Sequence, residues 1–246
     1  MARERLTPKQ RADWLRLIRT ENVGPQTFRQ LINRFGSAQA ALDALPDLVR
    51  RNGAPPPSTP SQIEAENEIA TADRLGARFV AISEPDYPPH LRHIHGPPPL
   101  LAVMGGDIPA SENTIGIVGA RNASAAGRRM AQMLARDLGA AGYVVISGLA
   151  RGIDAAAHEA ALRGGTIAVM AGGLDRLYPE ENKPLAKAIL DQGGALVSEM
   201  PFGWEARARD FPRRNRLVAG ISLGVVIVEA AKRSGSLITA RLALEQ

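Results

Sequence analysis

Short apolar runs alternate with longer amphipathic stretches over the last two thirds of the chain. Seven runs rich in valine and isoleucine are apolar at nearly every position, as expected of strands buried on both faces of a sheet. They cover residues 78–82, 100–104, 115–118, 143–147, 166–170, 195–198 and 224–228. Because helical segments separate these strands, the pattern predicts an α/β fold with a doubly wound, mostly parallel sheet.

Two of the intervening helices have a distinct apolar periodicity. One is predicted over 125–141, with Ser124 as its N-cap, and the other over 183–192. The predicted buried face of the first helix consists of Met130, Met133, Leu134 and Leu138. Helices at these positions are what parallel strands require as crossover connections.

The first 75 residues have helical periodicity throughout and predict a small all-helical domain. A capping box of Thr7 with Gln10 begins the first helix, and Gly36 ends the second. A third helix is predicted over 37–45, and a fourth begins at Ser61.

The proline-rich stretch 46–60 is predicted to be a loop or linker. The chain is therefore expected to divide into a helical domain, 1–75, and an α/β domain, 76–246. The turn Val23-Gly24-Pro25 resembles a helix-hairpin-helix element, whose backbone amides bind a DNA phosphate. A turn that only packs two helices together has the same composition, and both interpretations stay open.

Composition and charge narrow the class of protein without fixing its activity. The formal net charge is +5, and only four of the 30 cationic residues are lysines. Arginine binds phosphate in bidentate fashion, so the bias suits nucleic acid, although a GC-rich genome would produce it as well. The absence of cysteine excludes disulfides and cysteine nucleophiles. Without a leader-like segment or an apolar run long enough for a membrane span, we expect a cytoplasmic protein that does not enter membranes.

Glycine-containing loops follow several of the predicted strands, at the sheet edge where α/β proteins bind their ligands. The first is Gly119-Ala120-Arg121, which lacks the three glycines of the dinucleotide fingerprint. The chain also lacks the P-loop motif for ATP, so no nucleotide cofactor is predicted. Backbone amides at a helix start, together with an arginine, suit an exposed phosphate instead.

The second loop ends at Gly152, and Asp154 and His158 follow it at helical spacing. Their side chains would lie on one helix face, where they could form an acid–base dyad. The alternative is a capping aspartate with a packed histidine, both of which support the loop. We favour this alternative because no nucleophile with a matching local motif accompanies the pair.

The most basic segment is Phe211 to Arg216, in which one aromatic side chain precedes three arginines. A ring combined with positive charge is typical of proteins that bind single strands. The last loop, Lys232 to Ser236, places hydroxyls, a glycine and two cations at a predicted helix start and suits phosphate. Glu229 before it could be a catalytic carboxylate, or could orient Arg233 or a loop amide. We favour the orienting role.

Together these segments resemble the DNA-processing protein A family, also called Smf, over nearly the whole chain. The motifs that carry the resemblance are GIVGAR, SGLARGIDAAAH, AGGLDRLYPEEN, SEMPFG, FPRRNRLVAG and EAAKRSGSLITA. The resemblance implies an extended Rossmann-like domain that follows a helical domain of the sterile-alpha-motif type. It also implies a homodimer that binds single-stranded DNA without catalysis and loads the RecA recombinase onto it during natural transformation and recombination.

The resemblance further implies a set of DNA-binding residues, with Phe211 as the candidate for stacking on a base. The set is Gly119, Ala120, Arg121, Gly148, Leu149, Ala150, Arg151, Gly152, Phe211, Arg213, Arg214, Asn215, Arg216, Lys232, Ser234, Gly235 and Ser236. No catalytic residue and no metal is implied. The chain ends inside what should be the last core helix of the family, so we expect an α/β domain truncated at its C-terminal end.

An enzyme is the competing interpretation. Nucleoside-monophosphate phosphoribohydrolases of the lysine-decarboxylase-like family share the same open fold and carry P-G-G-x-G-T-x-x-E after an equivalent strand. Here the corresponding segment begins Ser234-Gly235-Ser236 and lacks both the double glycine and the downstream glutamate. Without that acid no obvious general acid or base is left, which favours a binding protein.

Overall fold

The computed structural model describes residues 5–51, 55–108, 113–231 and 235–244. Seven strands form one sheet in the order β1-β2-β6-β5-β4-β3-β7. Their bounds are β1 (Ala77–Ala81), β2 (Leu100–Gly105), β3 (Thr114–Gly119), β4 (Val144–Ser147), β5 (Thr166–Val169), β6 (Ala195–Ser198) and β7 (Gly224–Val228). β6, β5, β4, β3 and β7 run parallel, whereas β2 is antiparallel to both β1 and β6. The mostly parallel α/β sheet predicted from the apolar runs is confirmed.

In the described part of the chain, α-helices precede the first strand, connect the parallel strands and follow the last one. They are α1 (Pro8–Arg19), α2 (Pro25–Phe35), α3 (Ala38–Arg51), α4 (Gln62–Arg74), α5 (Ala125–Ala140), α6 (Ile153–Ala161), α7 (Lys183–Asp191), α8 (Asp210–Ile221) and α9 (Gly235–Leu244). The capping box of Thr7 with Gln10 is present, as is that of Ser61 with Glu64. Gly36 adopts the left-handed conformation that ends α2.

Helices cover both faces of the sheet because side chains alternate along each strand. On β3, Ile117 packs with α5 and α6, whereas the next residue, Val118, packs with Leu217 and Val218 of α8. Each layer is therefore filled from one side of the strand, as a doubly wound sheet requires.

The helical N-terminal part packs directly against the sheet. Leu15 of α1 belongs to the same buried cluster as Phe79 of β1 and Leu196 of β6. At this junction Arg11 pairs with the buried Glu84, with 2.6 Å between Nη2 and Oε1. Burial alone would raise the pKa of the Glu84 carboxyl, but hydrogen bonds from Arg11 and from two backbone amides outweigh it and lower the pKa.

Two of the element predictions are wrong in detail. α3 does not end near residue 45 but continues through Pro46 to Arg51, because Leu48 still packs against the helical cluster. Of the predicted linker, residues 55–60 are described as loop. On α5, Leu134 and Leu138 pack against the core as predicted, but Met130 and Met133 are about half exposed, with 47% and 45% of their surfaces accessible. Its buried residues are Gly127, Ala131 and Ala135. These small side chains let α5 lie close to its neighbours, which periodicity of bulky residues alone does not reveal.

None of the helices within the described ranges is both long and apolar enough to cross a membrane.

Candidate nucleic-acid interface

An open cleft of about 1080 Å³ lies at the carboxyl ends of β3 and β7, which are neighbours in the sheet. Segments that follow five different strands, β3 to β7, contribute to its walls. Nine of the residues predicted from the sequence line it, namely Gly119, Ala120, Arg121, Ala150, Phe211, Arg214, Asn215, Gly235 and Ser236. Parallel strands place their carboxyl ends at one edge of the sheet, which is why loops so far apart in sequence meet here.

Glu229 organises the first loop of the cleft. Its carboxylate accepts hydrogen bonds from the backbone amide of Ser124 at 3.0 Å and from the Ser124 hydroxyl at 2.7 Å. These hydrogen bonds lower the pKa of Glu229. The Ser124 hydroxyl in turn accepts from the amide of Gly127, as an N-cap does. The orienting role favoured for Glu229 is thus confirmed, with Ser124 as its amide partner.

The same contacts correct one sequence-based expectation. Amides at the start of α5 were expected to bind a phosphate, but Glu229 already supplies an anion there. A glycine is required at position 119 in this loop, since a Cβ there would overlap the Val228 carbonyl oxygen. What the first loop presents to the cleft is therefore the side chain of Arg121.

Asp154 and His158 support the second loop. Asp154 lies inside the first turn of α6, and its Oδ2 accepts from the amides of Gly148 at 3.1 Å and Ala150 at 3.4 Å. The N-cap itself is Gly152, so the predicted cap position was wrong although the supporting role holds. His158 is fully buried and its Nδ1 is 2.7 Å from the Thr166 hydroxyl.

Burial, assisted by the charge of Arg214, lowers the pKa of His158 to about 3. The imidazole is therefore neutral at pH 7 and packed against β5. It does not face the cleft, which disfavours the acid–base dyad.

Arg214 forms part of the cleft floor and is 5% exposed. Its Nη1 donates to the Val169 carbonyl at 3.0 Å. Burial lowers the pKa of this guanidinium, the nearby Asp154 carboxylate raises it, and the charge of Arg121 lowers it further. A Cβ on Gly148 would overlap the guanidinium, so glycine at that position makes room for it. Two cationic groups are thus held near each other at the floor and mouth of one cleft.

Two aromatic rings accompany these arginines. The Arg121 guanidinium carbon lies 4.9 Å from the centre of the Phe211 ring, a cation–π arrangement. On α8, Phe211 is also in edge contact with Tyr178, whose ring centre is 5.7 Å away. Tyr178 lines the cleft but was not singled out from the sequence, although it lies in the AGGLDRLYPEEN motif. Only the fold reveals that this motif borders the same cleft.

Of the other predicted site residues that the structure describes, none lines this cleft. Arg213 donates to the Glu199 carboxylate at 3.0 Å, and Arg216 pairs with the same carboxylate. Arg151 pairs with Glu181 at 2.6 Å. Gly148, Leu149 and Gly152 form the supporting backbone of the second loop, and Leu149 is fully buried. Lys232 and Ser234 lie outside the described residues.

No group of three or more histidine, cysteine or acidic side chains suited to a metal ion occurs within the described ranges.

Two family models match the chain. Residues 78–246 match the model described as DNA recombination-mediator protein A, and residues 8–71 match that of a DprA-like N-terminal HHH domain. Protein Smf of Escherichia coli is 42% identical over 183 residues, which are 74% of this chain and 49% of that protein. The chain spans between 49% and 62% of the length of three curated relatives that it matches.

Solved structures of DNA processing protein A also resemble this chain. The X-ray structure of DNA processing protein A from Streptococcus pneumoniae superposes with a TM-score of 0.72 at 28% identity, over 98% of this chain and 84% of that one. The corresponding protein from Helicobacter pylori, studied for its single-stranded DNA binding mode, gives a TM-score of 0.64 at 30% identity. The superposition covers 71% of this chain and 79% of the Helicobacter pylori chain. The extended Rossmann-like fold preceded by a helical HHH domain is confirmed.

Proposed function

The chain belongs to the DNA recombination-mediator protein A family, and on that premise we propose that its cleft binds single-stranded DNA without altering it chemically. The observation that carries the proposal is the pair of guanidinium groups, Arg121 and Arg214, at one cleft lined by two aromatic rings. The Helicobacter pylori relative, whose single-stranded DNA binding mode has been described, supports the same ligand.

Electrostatics favours a phosphate between the two arginines. The charge of Arg121 lowers the pKa of Arg214, which means that the two cations repel each other. An anion bound near both would relieve this repulsion and would gain two charge-assisted hydrogen bonds. The neighbouring rings suit unpaired bases, since base–aromatic stacking tolerates any base.

Binding without catalysis is supported by the state of the titratable groups. His158 is buried and neutral at pH 7, and Glu229 is occupied by Ser124. Neither is free to transfer a proton to a ligand in the cleft. Incubation with nucleoside monophosphates, followed by an assay for released base, tests the competing phosphoribohydrolase activity. Release of base would overturn the proposal of a binding protein.

We further propose the partners that the family resemblance implies, namely a second copy of the chain and the RecA recombinase, in DNA uptake and recombination. The description of the family as recombination mediators supports this role. We also propose that residues 1–75 and 76–246 form two domains, in line with the separate family matches at 8–71 and 78–246.

A salt-titrated comparison of single-stranded and duplex oligonucleotides of equal length tests the proposed ligand. Fluorescence anisotropy at a series of salt concentrations separates the phosphate contribution from the rest of the affinity. We expect tighter binding of the single strand throughout the series, because stacking requires an unpaired base. Equal affinity for the duplex, or no binding of either oligonucleotide, would contradict the proposal.

A further inference from the structure

A second open groove, of about 1000 Å³, lies between α1, α4 and β1, and we call it the α4 groove. β1 is the edge strand at one end of the sheet, whereas the arginine-lined cleft lies at β3 and β7, near the other end. None of the described residues lines both sites. The walls of the α4 groove include the apolar residues Phe79 and Val80 of β1 and Ile69 of α4. A concave site of this size with apolar walls is suited to a ligand.

The backbone edge of β1 beside the α4 groove is closed by side chains. The Phe79 carbonyl accepts a hydrogen bond from Arg11, and the Ala81 amide donates to Glu84 Oε2 at 2.9 Å. An open edge would accept a further strand, but here two of its backbone groups already have partners. A ligand of the α4 groove is therefore recognised through side chains and not by addition of a strand.

The charged side chains of the α4 groove are unevenly paired. Each of the four cationic residues that line it pairs with a carboxylate at 2.6 to 2.8 Å, namely Arg5 with Asp86, Lys9 with Asp13, Arg11 with Glu84 and Arg78 with Asp107. Glu66 and Asp73 of α4 also line the groove and are exposed. Neither forms an ion pair with a residue in the described ranges. Two carboxylates are thus left to pair with a cationic ligand.

The spacing of Glu66 and Asp73 defines the shape of that ligand. Seven residues are close to two helical turns, so both side chains belong to one face of α4, about 10.5 Å apart along its axis. Ile69 and Ala70 lie between them and line the same groove. In an extended peptide, residues three positions apart are separated by about 10 Å. Two basic residues at that spacing match the two carboxylates, and an apolar residue between them matches Ile69 and Ala70.

We propose that the α4 groove binds a protein partner through an extended segment that has two basic residues three positions apart and an apolar residue between them. The basic side chains pair with Glu66 and Asp73, and the apolar one packs on Ile69 and Ala70. The net charge of +5 repels a basic segment elsewhere on the molecule, so binding depends on these local carboxylates. The inference is independent of the proposed function, because it concerns a different site.

Two arginine substitutions on α4 test the assignment. Ala70 and Asn67 are both exposed, but only Ala70 lines the groove. Ala70→Arg places a cation between the two carboxylates, whereas Asn67→Arg adds the same charge to another part of the same helix. Arginine is a strong helix former, so both variants should fold, and thermal melting verifies this.

The probe is a fluorescein-labelled peptide, Gly-Ser-Gly-Lys-Ser-Leu-Lys-Gly-Ser-Gly, whose binding is measured by fluorescence anisotropy. A peptide with glutamate in place of both lysines is the control. We expect the parent and Asn67→Arg to bind the lysine peptide, Ala70→Arg to lose this binding, and the glutamate peptide to bind none of them. Glu66→Gln combined with Asp73→Asn should weaken binding by about 2- to 30-fold, the range for two exposed ion pairs.

Several results would overturn the assignment. One is a folded parent that does not bind the lysine peptide, and another is equal binding by Ala70→Arg and Asn67→Arg. A change of oligomeric state in Ala70→Arg, measured by sedimentation velocity, would identify a second copy of the chain as the occupant instead. A loss of affinity for oligothymidylate in Ala70→Arg would assign the groove to nucleic acid. A parent that binds the lysine peptide but no oligothymidylate would overturn only the proposed function.

Discussion

At the scale of single residues, two arginines of the cleft differ in their surroundings. Arg121 is exposed and rests on a ring, whereas Arg214 is buried against the Val169 carbonyl and near Asp154. A buried guanidinium keeps its place without the ligand, because breaking its contacts would leave an unpaired charge in a low dielectric. An exposed one can follow the path of a strand. We infer that Arg214 fixes the position of the nearest phosphate, while Arg121 adapts to it.

The buried histidine gives a pH-dependent stability. The unfolded chain takes up a proton on His158 near its ordinary pKa of 6.5, whereas the folded protein does so only at about 3. Stability should therefore fall as the pH falls below 6.5, by about 1.4 kcal/mol per pH unit at most, until about pH 3. Urea unfolding of the parent and of His158→Gln across this range isolates the histidine. His93 is exposed, so His93→Gln serves as the control and should keep the parental slope of unfolding free energy against pH. The same parental slope in His158→Gln would contradict the assignment.

Glu199 neutralises two arginines that were expected to contact DNA. It is 8% exposed and pairs with Arg213 and Arg216, and its carbonyl accepts from Arg19 of α1 at 3.1 Å. We expect Glu199→Gln to cost about 1.5–3 kcal/mol of unfolding free energy, since a largely buried charge loses its partner. The exposed Glu180→Gln should cost less than about 0.5 kcal/mol. Equal melting temperatures of the two variants would show that the Glu199 cluster does not stabilise the fold.

At the scale of elements, the glycine loops bring backbone close to functional side chains. A Cβ on Gly148 would overlap the Arg214 guanidinium, so Gly148→Ala should displace it and weaken binding of single strands. The strain should also cost about 1–3 kcal/mol of stability. Gly224→Ala in β7 is the matched control, because its Cβ would meet only Ile115 at 3.9 Å. Anisotropy and thermal melting measure both effects, and normal DNA affinity in Gly148→Ala would argue against Arg214 as a contact.

The helices and strands were largely predictable from the sequence, but the contacts between side chains of distant segments were not. Strands such as Ala195–Ser198 agree with prediction because an apolar run between turn residues leaves little choice. The continuation of α3 past Pro46 was missed, since a proline usually ends a helix unless packing compensates. The orienting role of Glu229 was predicted, but its partner Ser124 and the place of Tyr178 beside Phe211 depend on contacts between segments about a hundred and about thirty residues apart. Periodicity and motifs carry no information on such distances.

At the scale of the whole molecule, the helical part and the sheet share one hydrophobic cluster. Ala12 and Leu15 of α1 pack in the same cluster as Ala102 and Leu196 of the sheet. The buried pair of Arg11 with Glu84 crosses the same boundary. Neither part could unfold without exposing the other, so the two predicted domains should behave as one cooperative unit.

The two tryptophans report on this cooperativity separately. Trp14 lies in α1 with its ring centre 5.0 Å from that of Phe28, and Trp204 lies before α8 in the α/β part. Fluorescence-detected melting of Trp14→Phe and of Trp204→Phe therefore follows each part in turn. We expect the melting curve of each variant to coincide with its own curve recorded by circular dichroism. Separate transitions by the two probes would show that the parts unfold independently.

The dependence of oligothymidylate binding on salt in Arg121→Ala tests the central claim most directly. If Arg121 holds one phosphate of the strand, its loss should weaken binding and reduce the slope of log affinity against log salt by about 0.7. The exposed Arg129 on α5 lies outside the cleft, so Arg129→Ala should leave the affinity and the slope close to those of the parent. A folded Arg121→Ala protein with parental affinity and slope would contradict the account of the cleft as the site of single-strand binding.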